Sequence, residues 1–384
     1  MRLAVTVALA LALAGCEEPP AEPGVDAGAE VDGGYDWQLP PGFPLPRVPA
    51  DNPMSTVKVE LGRRLFYDTR LSGNQTQSCA SCHEQARAFT DGRAHAVGST
   101  GETHRRSSMG LGNVAWNATL TWANPLLASL EEQALVPMFG EHPVELGLAG
   151  LEDALLARLR AEPVYQSLFP AAFPELGDPF TLGSVTRALA AFERALITGR
   201  STFDRAERWK DGTRLSASAA RGKALFFGEE LECFHCHGGF NFSDSEASVL
   251  TTFDERPFHN TGLYNLGGTG AYPAEDQGAL EVTETSHDMG HFRAPSLRNI
   301  ALTAPYMHDG SIATLDEVLD HYAAGGRTIA SGPNAGVGAQ SPFKSQFLAG
   351  FTLTAQQRQD VLAFLNSLTD EEFVSDPRFA DPWK

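Results

Sequence analysis

Cys79-Ala80-Ser81-Cys82-His83 and Cys233-Phe234-His235-Cys236-His237 decide the reading of this chain. Each pentapeptide has the form C-x-x-C-H, the attachment signature of a c-type haem. The two thiols add across the porphyrin vinyl groups, and the adjacent histidine reaches the iron. His83 and His237 are therefore the expected proximal ligands, with Cys79, Cys82, Cys233 and Cys236 as covalent anchors. A zinc site would need more thiolates than are left, since only Cys16 of the five cysteines lies outside the motifs. Two covalent haems make a redox device. The open question is whether it carries electrons, reduces peroxide or oxidises something else.

Cys16 closes Leu13-Ala14-Gly15-Cys16, downstream of Arg2 and an apolar run from Leu3 to Ala14. That run is too short to span a bilayer and reads as a lipoprotein signal peptide over residues 1–15. Export to the periplasm follows, with a lipidated Cys16 as the only membrane attachment; the alternative is a cut signal and a free thiol. Haem attachment outside the cytoplasm agrees with export. Residues 16–50, dominated by Pro, Gly, Ala, Asp and Glu, read as a flexible tether. The net charge of −19, from 29 basic and 48 acidic residues, argues against nucleic acid as a partner.

The rest of the chain is long enough for two cores. One haem motif in each half predicts an N-terminal haem domain over 51–200 and a C-terminal one over 201–384. Helical stripes dominate. Val57, Leu61 and Leu65 form one; Val185, Leu189, Phe192 and Leu196 form another, stopped at Gly199. Thr314 with Glu317, and Thr354 with Gln357, make capping boxes for two more helices. The stretches 86–115 and 240–300 read as long loops suited to wrapping a cofactor. The expected class is mainly α: two cytochrome-c-like domains, each with one covalent c-type haem.

From about residue 50 onward the chain resembles the bacterial di-haem cytochrome c peroxidase and MauG family. The resemblance rests on both haem motifs, on Phe292-Arg293-Ala294-Pro295-Ser296-Leu297-Arg298-Asn299, and on Leu302-Thr303-Ala304-Pro305-Tyr306-Met307-His308-Asp309-Gly310. It implies that Tyr322 is the distal ligand of the second haem, where the peroxidases have Met and MauG has Tyr. Leu315, Val318, Leu319 and Tyr322 share one helical face, which turns Tyr322 inward. Met307, the competing candidate, reads as packing. A phenolate ligand lowers the iron potential and favours oxidised states, whereas a thioether raises it.

The first haem resembles the peroxide site. Ser99 stands where many relatives carry a blocking histidine; His95 and His104 lie nearby and are the alternatives. The resemblance assigns Gln133 and Glu145 to holding peroxide and moving its proton, with the extra length between them bulging at 138–141. It assigns Trp122 to relaying oxidising equivalents between the haems, with Trp116 as the rival. It also implies one Ca²⁺ between the haems, held by the Thr303 and Pro305 carbonyls and by Ser107 where relatives have Asn. Arg293 and Arg298 suit haem propionates. His287 and His291 read as loop histidines, because Gly290 argues against a helix that would align them.

The resulting expectation is a MauG-like oxidase. It would use hydrogen peroxide to form a high-valent di-haem state and oxidise a side chain on a periplasmic partner protein. The stretches 41–54 and 138–143 resemble the MbnH-like branch, whose partner is a small copper-binding protein and whose product is kynurenine from tryptophan. The alternatives are a di-haem peroxidase taking electrons from a small cytochrome or cupredoxin, and a non-enzymatic di-haem electron carrier.

Overall fold

The Ser55 hydroxyl accepts from the Lys58 N–H at 3.2 Å and opens α1 (Thr56–Tyr67). The computed structural model describes residues 35–384, so the expected signal peptide, Cys16 and the first part of the tether lie outside the described residues. After α1 come α2 (Leu130–Gln133), α3 (Leu135–Phe139), α4 (Glu152–Ala161), α5 (Pro163–Ala172) and α6 (Leu182–Ala195). The second half holds α7 (Thr202–Asp204), α8 (Ala217–Phe226), α9 (Leu280–Thr283), α10 (Leu315–Ala323) and α11 (Ala355–Asn366). A two-stranded antiparallel sheet pairs β1 (Thr328–Ile329) with β2 (Gly336–Val337), Thr328 opposite Val337. The fold is mainly α with long loops, as the periodicities predict.

Two cores organise the chain. In the first, α1 crosses α6 at Gly62, so closely that a Cβ there would lie 1.9 Å from the Ala188 carbonyl oxygen. Leu61, Leu65, Val185, Leu189, Phe192 and Leu196 fill the contact, and Phe66 meets Phe192 at 5.2 Å between ring centroids. In the second, α8 crosses α11 at Gly222, around Phe226, Val361, Phe364 and Leu365. Thr314–Glu317 and Thr354–Gln357 form the two capping boxes read from the sequence.

A buried polar junction joins the halves near residue 200. Asp370 Oδ2 accepts from the Thr198 hydroxyl and from the Gly199 and Arg200 N–H groups, each at 2.9 Å. Asn113 donates to the Thr198 carbonyl at 2.8 Å, and Asn299 Oδ1 accepts from the Asp370 N–H at 2.7 Å. Such a network is worth its desolvation only when every member is satisfied. The chain then crosses back: Phe373 and Phe379 belong to the first core, and Tyr67 donates to the Phe379 carbonyl at 2.8 Å.

Residues 35–50 correct one expectation. They are not free tether. Trp37 and Phe43 are buried, and Trp37 packs with Met54, Ala191 and Ala195. Trp116 donates to the Pro44 carbonyl at 3.0 Å, while Arg47 binds the Ser248 carbonyl and Asp254. Composition suggested a linker because Pro and Gly dominate; three aromatic residues among them supply the apolar anchors that a linker lacks.

Candidate active site

Both C-x-x-C-H motifs fold as single 3-10 turns, over Cys79–Ser81 and Cys233–His235. The turn puts both thiols and the following histidine on one side. His83 Nδ1 faces the Phe89 carbonyl at 2.8 Å, and His237 Nδ1 faces the Phe242 carbonyl at 3.1 Å. A carbonyl can only accept, so each ring carries its proton on Nδ1 and leaves Nε2 as a lone pair. Burial pushes both imidazoles below the usual histidine range, towards the neutral, ligating form. The four cysteines form no disulfide, and burial pushes Cys82 and Cys233 up to about 12. Protonated thiols and neutral imidazoles with a free Nε2 fit a covalently attached haem at each motif.

The surroundings of the two motifs differ. Above His83 lies an open cleft lined by Gln77, His104, Trp122, Gln133, Glu145, Leu189 and Glu193, together with Cys79 and Cys82. Gln133 ends α2, which is held rigidly. Arg194, itself buried, grips Glu131 with both terminal nitrogens at 2.7 and 2.8 Å, and Asn52 adds a third bond at 2.6 Å. Burial would raise the Glu131 carboxyl, but the Arg194 fork outweighs it and holds it near 2. The Gln133 carboxamide, two residues on, has no protein partner among the described residues and is free for a ligand.

Glu145 follows a tight turn in which Glu141 bridges to Val144. Of the stretch 138–141, Met138 is fully buried within α3. His104 Nε2 stands 3.5 Å from Glu145 Oε1. Of the two alternative histidines, only His104 lines the cleft. His95 belongs to the neighbourhood of His308, and Gly310 packs against Ala94.

The Cys233–His237 motif has a different neighbour. Tyr322 sits on α10, and its hydroxyl makes no hydrogen bond among the described residues. Burial, and then the nearby Cys236 and Cys233, push its pKa upward. The phenol and the two haem anchors therefore share one neighbourhood. Met307 is elsewhere, in the cavity between the halves and against the cluster of Leu263, Tyr272 and Phe292. Cys236, Asp244 and His259 bring metal-ligand atoms within 4.8 Å of one another, but the Cys236 sulfur is a haem anchor.

A second cavity lies between the halves and holds Ser107, Trp122, Arg293, Arg298, Thr303, Pro305 and Met307. Trp122 lines this cavity and the His83 cleft as well. Trp116, by contrast, is fully buried and packs edge-to-face on Phe43 and Phe240. The Ser107 hydroxyl donates to the Met307 carbonyl at 3.2 Å. Arg293 is almost fully buried and its Nη1 has no partner, which is costly unless an anion such as a propionate meets it. Arg298 departs from that expectation: Nη1 and Nη2 bind Asp204 at 2.8 and 3.0 Å, and Nε donates to the Phe240 carbonyl.

Sequence reasoning missed Glu193. It lines the cleft with its carboxyl unpaired, and burial pushes it up to about 8. Its signal was legible: it lies four residues after Leu189 on an otherwise apolar helical stripe.

Comparison with known proteins gives a consistent set. The di-haem cytochrome c peroxidase family profile matches residues 56–212. Cytochrome-c peroxidase IdrP1 of Denitromonas iodatirespirans is 36% identical over 89% of this chain and 90% of its own. Methylamine utilization protein MauG of Methylorubrum extorquens is 33% identical, over 87% and 84% respectively. The crystal structure of a MauG-like protein associated with microbial copper homeostasis superposes with a TM-score of 0.89 at 51% identity, covering 91% of this chain and all of that one.

Proposed function

The chain belongs to the di-haem cytochrome c peroxidase/MauG family and is a haem oxidoreductase, and from that premise we propose that it uses hydrogen peroxide to oxidise a side chain on a partner protein. The observation that supports this reading is the asymmetry of the two motifs: Gln133 and Glu145 line an open cleft with His83, and the Tyr322 phenol lies in the neighbourhood of Cys233 and Cys236.

Cys79, Cys82 and His83 would hold one haem and Cys233, Cys236 and His237 the other, and each would supply iron able to exchange electrons. The chain's own residues do the rest. His83, fixed by its bond to Phe89, presents Nε2 at a set angle. Gln133 donates its amide to a peroxide oxygen and holds it. Glu145 would move a proton from one peroxide oxygen to the other, so that the second can leave as water. Trp122, facing the first cleft and the cavity between the halves, relays oxidising equivalents between them. Tyr322 would hold the second haem through its phenolate oxygen, a ligand that favours the oxidised state. Over one cycle two electrons leave the partner, two protons are taken up and peroxide becomes two waters.

The likeness to a MauG-like protein associated with copper homeostasis supports a copper-binding partner. Conversion of its tryptophan to kynurenine is a four-electron oxidation, so it takes two such cycles and two peroxides, with oxygen supplied by water and the lost ring carbon leaving as formate. Thr303, Pro305 and Ser107 line one cavity, and we read it as a Ca²⁺ site with oxygen ligands. Export to the periplasm with a lipid on Cys16 completes the proposal; no helix among the described residues is long and apolar enough to cross a membrane.

The test adds two equivalents of peroxide per partner to the fully oxidised holoprotein together with a copper-binding partner, and weighs the partner. Peroxide consumption without prior reduction, with the mass change of tryptophan-to-kynurenine conversion, is expected. Consumption only after one-electron reduction would favour a peroxidase fed by a small cytochrome or cupredoxin. No consumption at all would leave an electron carrier.

A further inference from the structure

We propose that His104 is a positioning residue for Glu145, its neutral imidazole presenting an Nε2–H that aims the carboxylate over the His83 cleft. This rests on the reading of Glu145 as the group that moves the peroxide proton.

The tautomer follows from the backbone. His104 Nδ1 lies 3.1 Å from the Arg106 N–H, which can only donate. Nδ1 therefore keeps its lone pair, and the proton of the neutral ring is on Nε2. Nε2 stands 3.5 Å from Glu145 Oε1, and both side chains line the same cleft. A neutral donor at that distance orients a carboxylate without fixing a charge beside it.

The backbone around the pair is locked. Residues 96–104 form a tight hairpin, with His104 N–H donating to the Ala96 carbonyl and Gly98 N–H to the Glu102 carbonyl, both at 2.8 Å. The hairpin is fastened to the Glu145 segment twice: Ser99 N–H donates to the Glu145 carbonyl at 2.7 Å, and Val144 N–H donates to Glu102 Oε2 at 3.0 Å. Gly98 lets the two segments touch, since a Cβ there would lie 1.9 Å from the Val144 oxygen. Gln77, next to the first haem motif, donates to the Val97 carbonyl at 3.1 Å. Hairpin, carboxylate and haem motif are thus one unit, and neither partner can drift along its backbone.

Neighbouring cations do not compete. Arg105 pairs with Glu281, and Arg106 pairs with Asp276 and reaches Glu281. Glu102 is used by Val144. The pair is about one-third exposed, so solvent screens its charge, and its value lies in direction rather than strength.

The test uses the haem-loaded protein. Glu145→Gln comes first and is expected to lower peroxide consumption at least ~100-fold; full retention would overturn the Glu145 reading and this proposal with it. His104→Ala is then expected to lower kcat about tenfold with KM little changed, and to move the acid side of the pH profile towards higher pH by about one unit. His104→Gln, which keeps an amide N–H where Nε2 was, should restore most of both. The infrared carboxylate band of Glu145, identified by its loss in Glu145→Gln, should shift in His104→Ala and return in His104→Gln. An unchanged pH profile together with an unmoved band overturns the proposal. Should alanine loosen the hairpin, ¹⁵N NMR of the wild-type ring decides alone: a proton on Nε2 supports the proposal, and one on Nδ1 overturns it.

Discussion

The Trp122 indole N–H donates to the Ser107 carbonyl at 2.9 Å, holding the ring in the wall that two cavities share. An aromatic ring in that wall can relay a hole only if its orientation is fixed, and this bond fixes it. Trp122→Phe removes the bond and replaces indole with a ring that is harder to oxidise. Stopped-flow should show partner oxidation slowed at least ~10-fold while the first encounter with peroxide changes by less than about twofold. Equal losses in both steps would assign Trp122 to packing.

Tyr322 carries a redox prediction. Its hydroxyl is protonated in the haem-free chain because burial, and then the neighbouring Cys236 and Cys233, disfavour the phenolate. Ligation must displace that proton. Tyr322→Met should raise the potential of the second haem by a sizeable part of the ~0.8 V that axial ligands span. Tyr322→Phe should leave that iron five-coordinate. Redox titration and the haem absorption spectrum read both outcomes, and a potential that stays put in Tyr322→Met would refute the assignment.

Glu193 predicts a pH-dependent stability. Its carboxyl titrates near 8 in the fold because of burial, against about 4.3 in an unfolded chain. The folded state therefore holds a proton that the unfolded state releases between those values. Its stabilising contribution is complete below about pH 4.3 and is lost as pH rises through 8. Glu193→Gln keeps the shape without the titration. Its melting temperature should match wild type near pH 5, exceed it increasingly towards pH 8, and hold a constant lead above that. A gap that does not vary with pH would contradict the argument.

Gly222 is where α8 and α11 touch. A Cβ there would stand 1.8 Å from the Asp360 carbonyl oxygen. Helix propensity alone favours alanine by about 1 kcal/mol, but forcing backbone apart in a packed core costs about 1–3 kcal/mol or more. The clash wins, so Gly222→Ala should lower thermal stability. Denaturant unfolding, followed by fluorescence and circular dichroism, checks the sign.

Much of this was legible in the sequence, for reasons that can be named. The C-x-x-C-H motifs are local, and so are the capping boxes at Thr314 and Thr354; spacing alone exposes them. The stripe Val185, Leu189, Phe192 and Leu196 predicts a helix, and the structure has α6 there. What escaped was non-local. Nothing near residue 40 announces that Trp37 and Phe43 find partners on α6 and around Trp116. The Arg298–Asp204 pair joins residues far apart in the chain, so the guanidinium could not be subtracted from the propionate candidates. His104 could not be chosen over His95 without the hairpin that turns one of them into the cleft.

Residues 373–383 return to the first core and tie it to a segment far away in the chain. Phe373 meets Phe89 at 5.4 Å, Gln85 donates to the Phe373 and Asp376 carbonyls, and Trp383 donates to the Arg64 carbonyl. Phe89 is the residue whose carbonyl orients His83. The support beneath His83 is therefore completed by residues 288 and 291 positions beyond Gln85. Removing residues 373–384 would keep both haem motifs and the whole α8–α11 core, yet take away the floor of the first motif. Long-range closure of this kind is slow to form. The second core closes from residues between Phe203 and Leu368 alone, whereas the first waits for a segment from the far side of it.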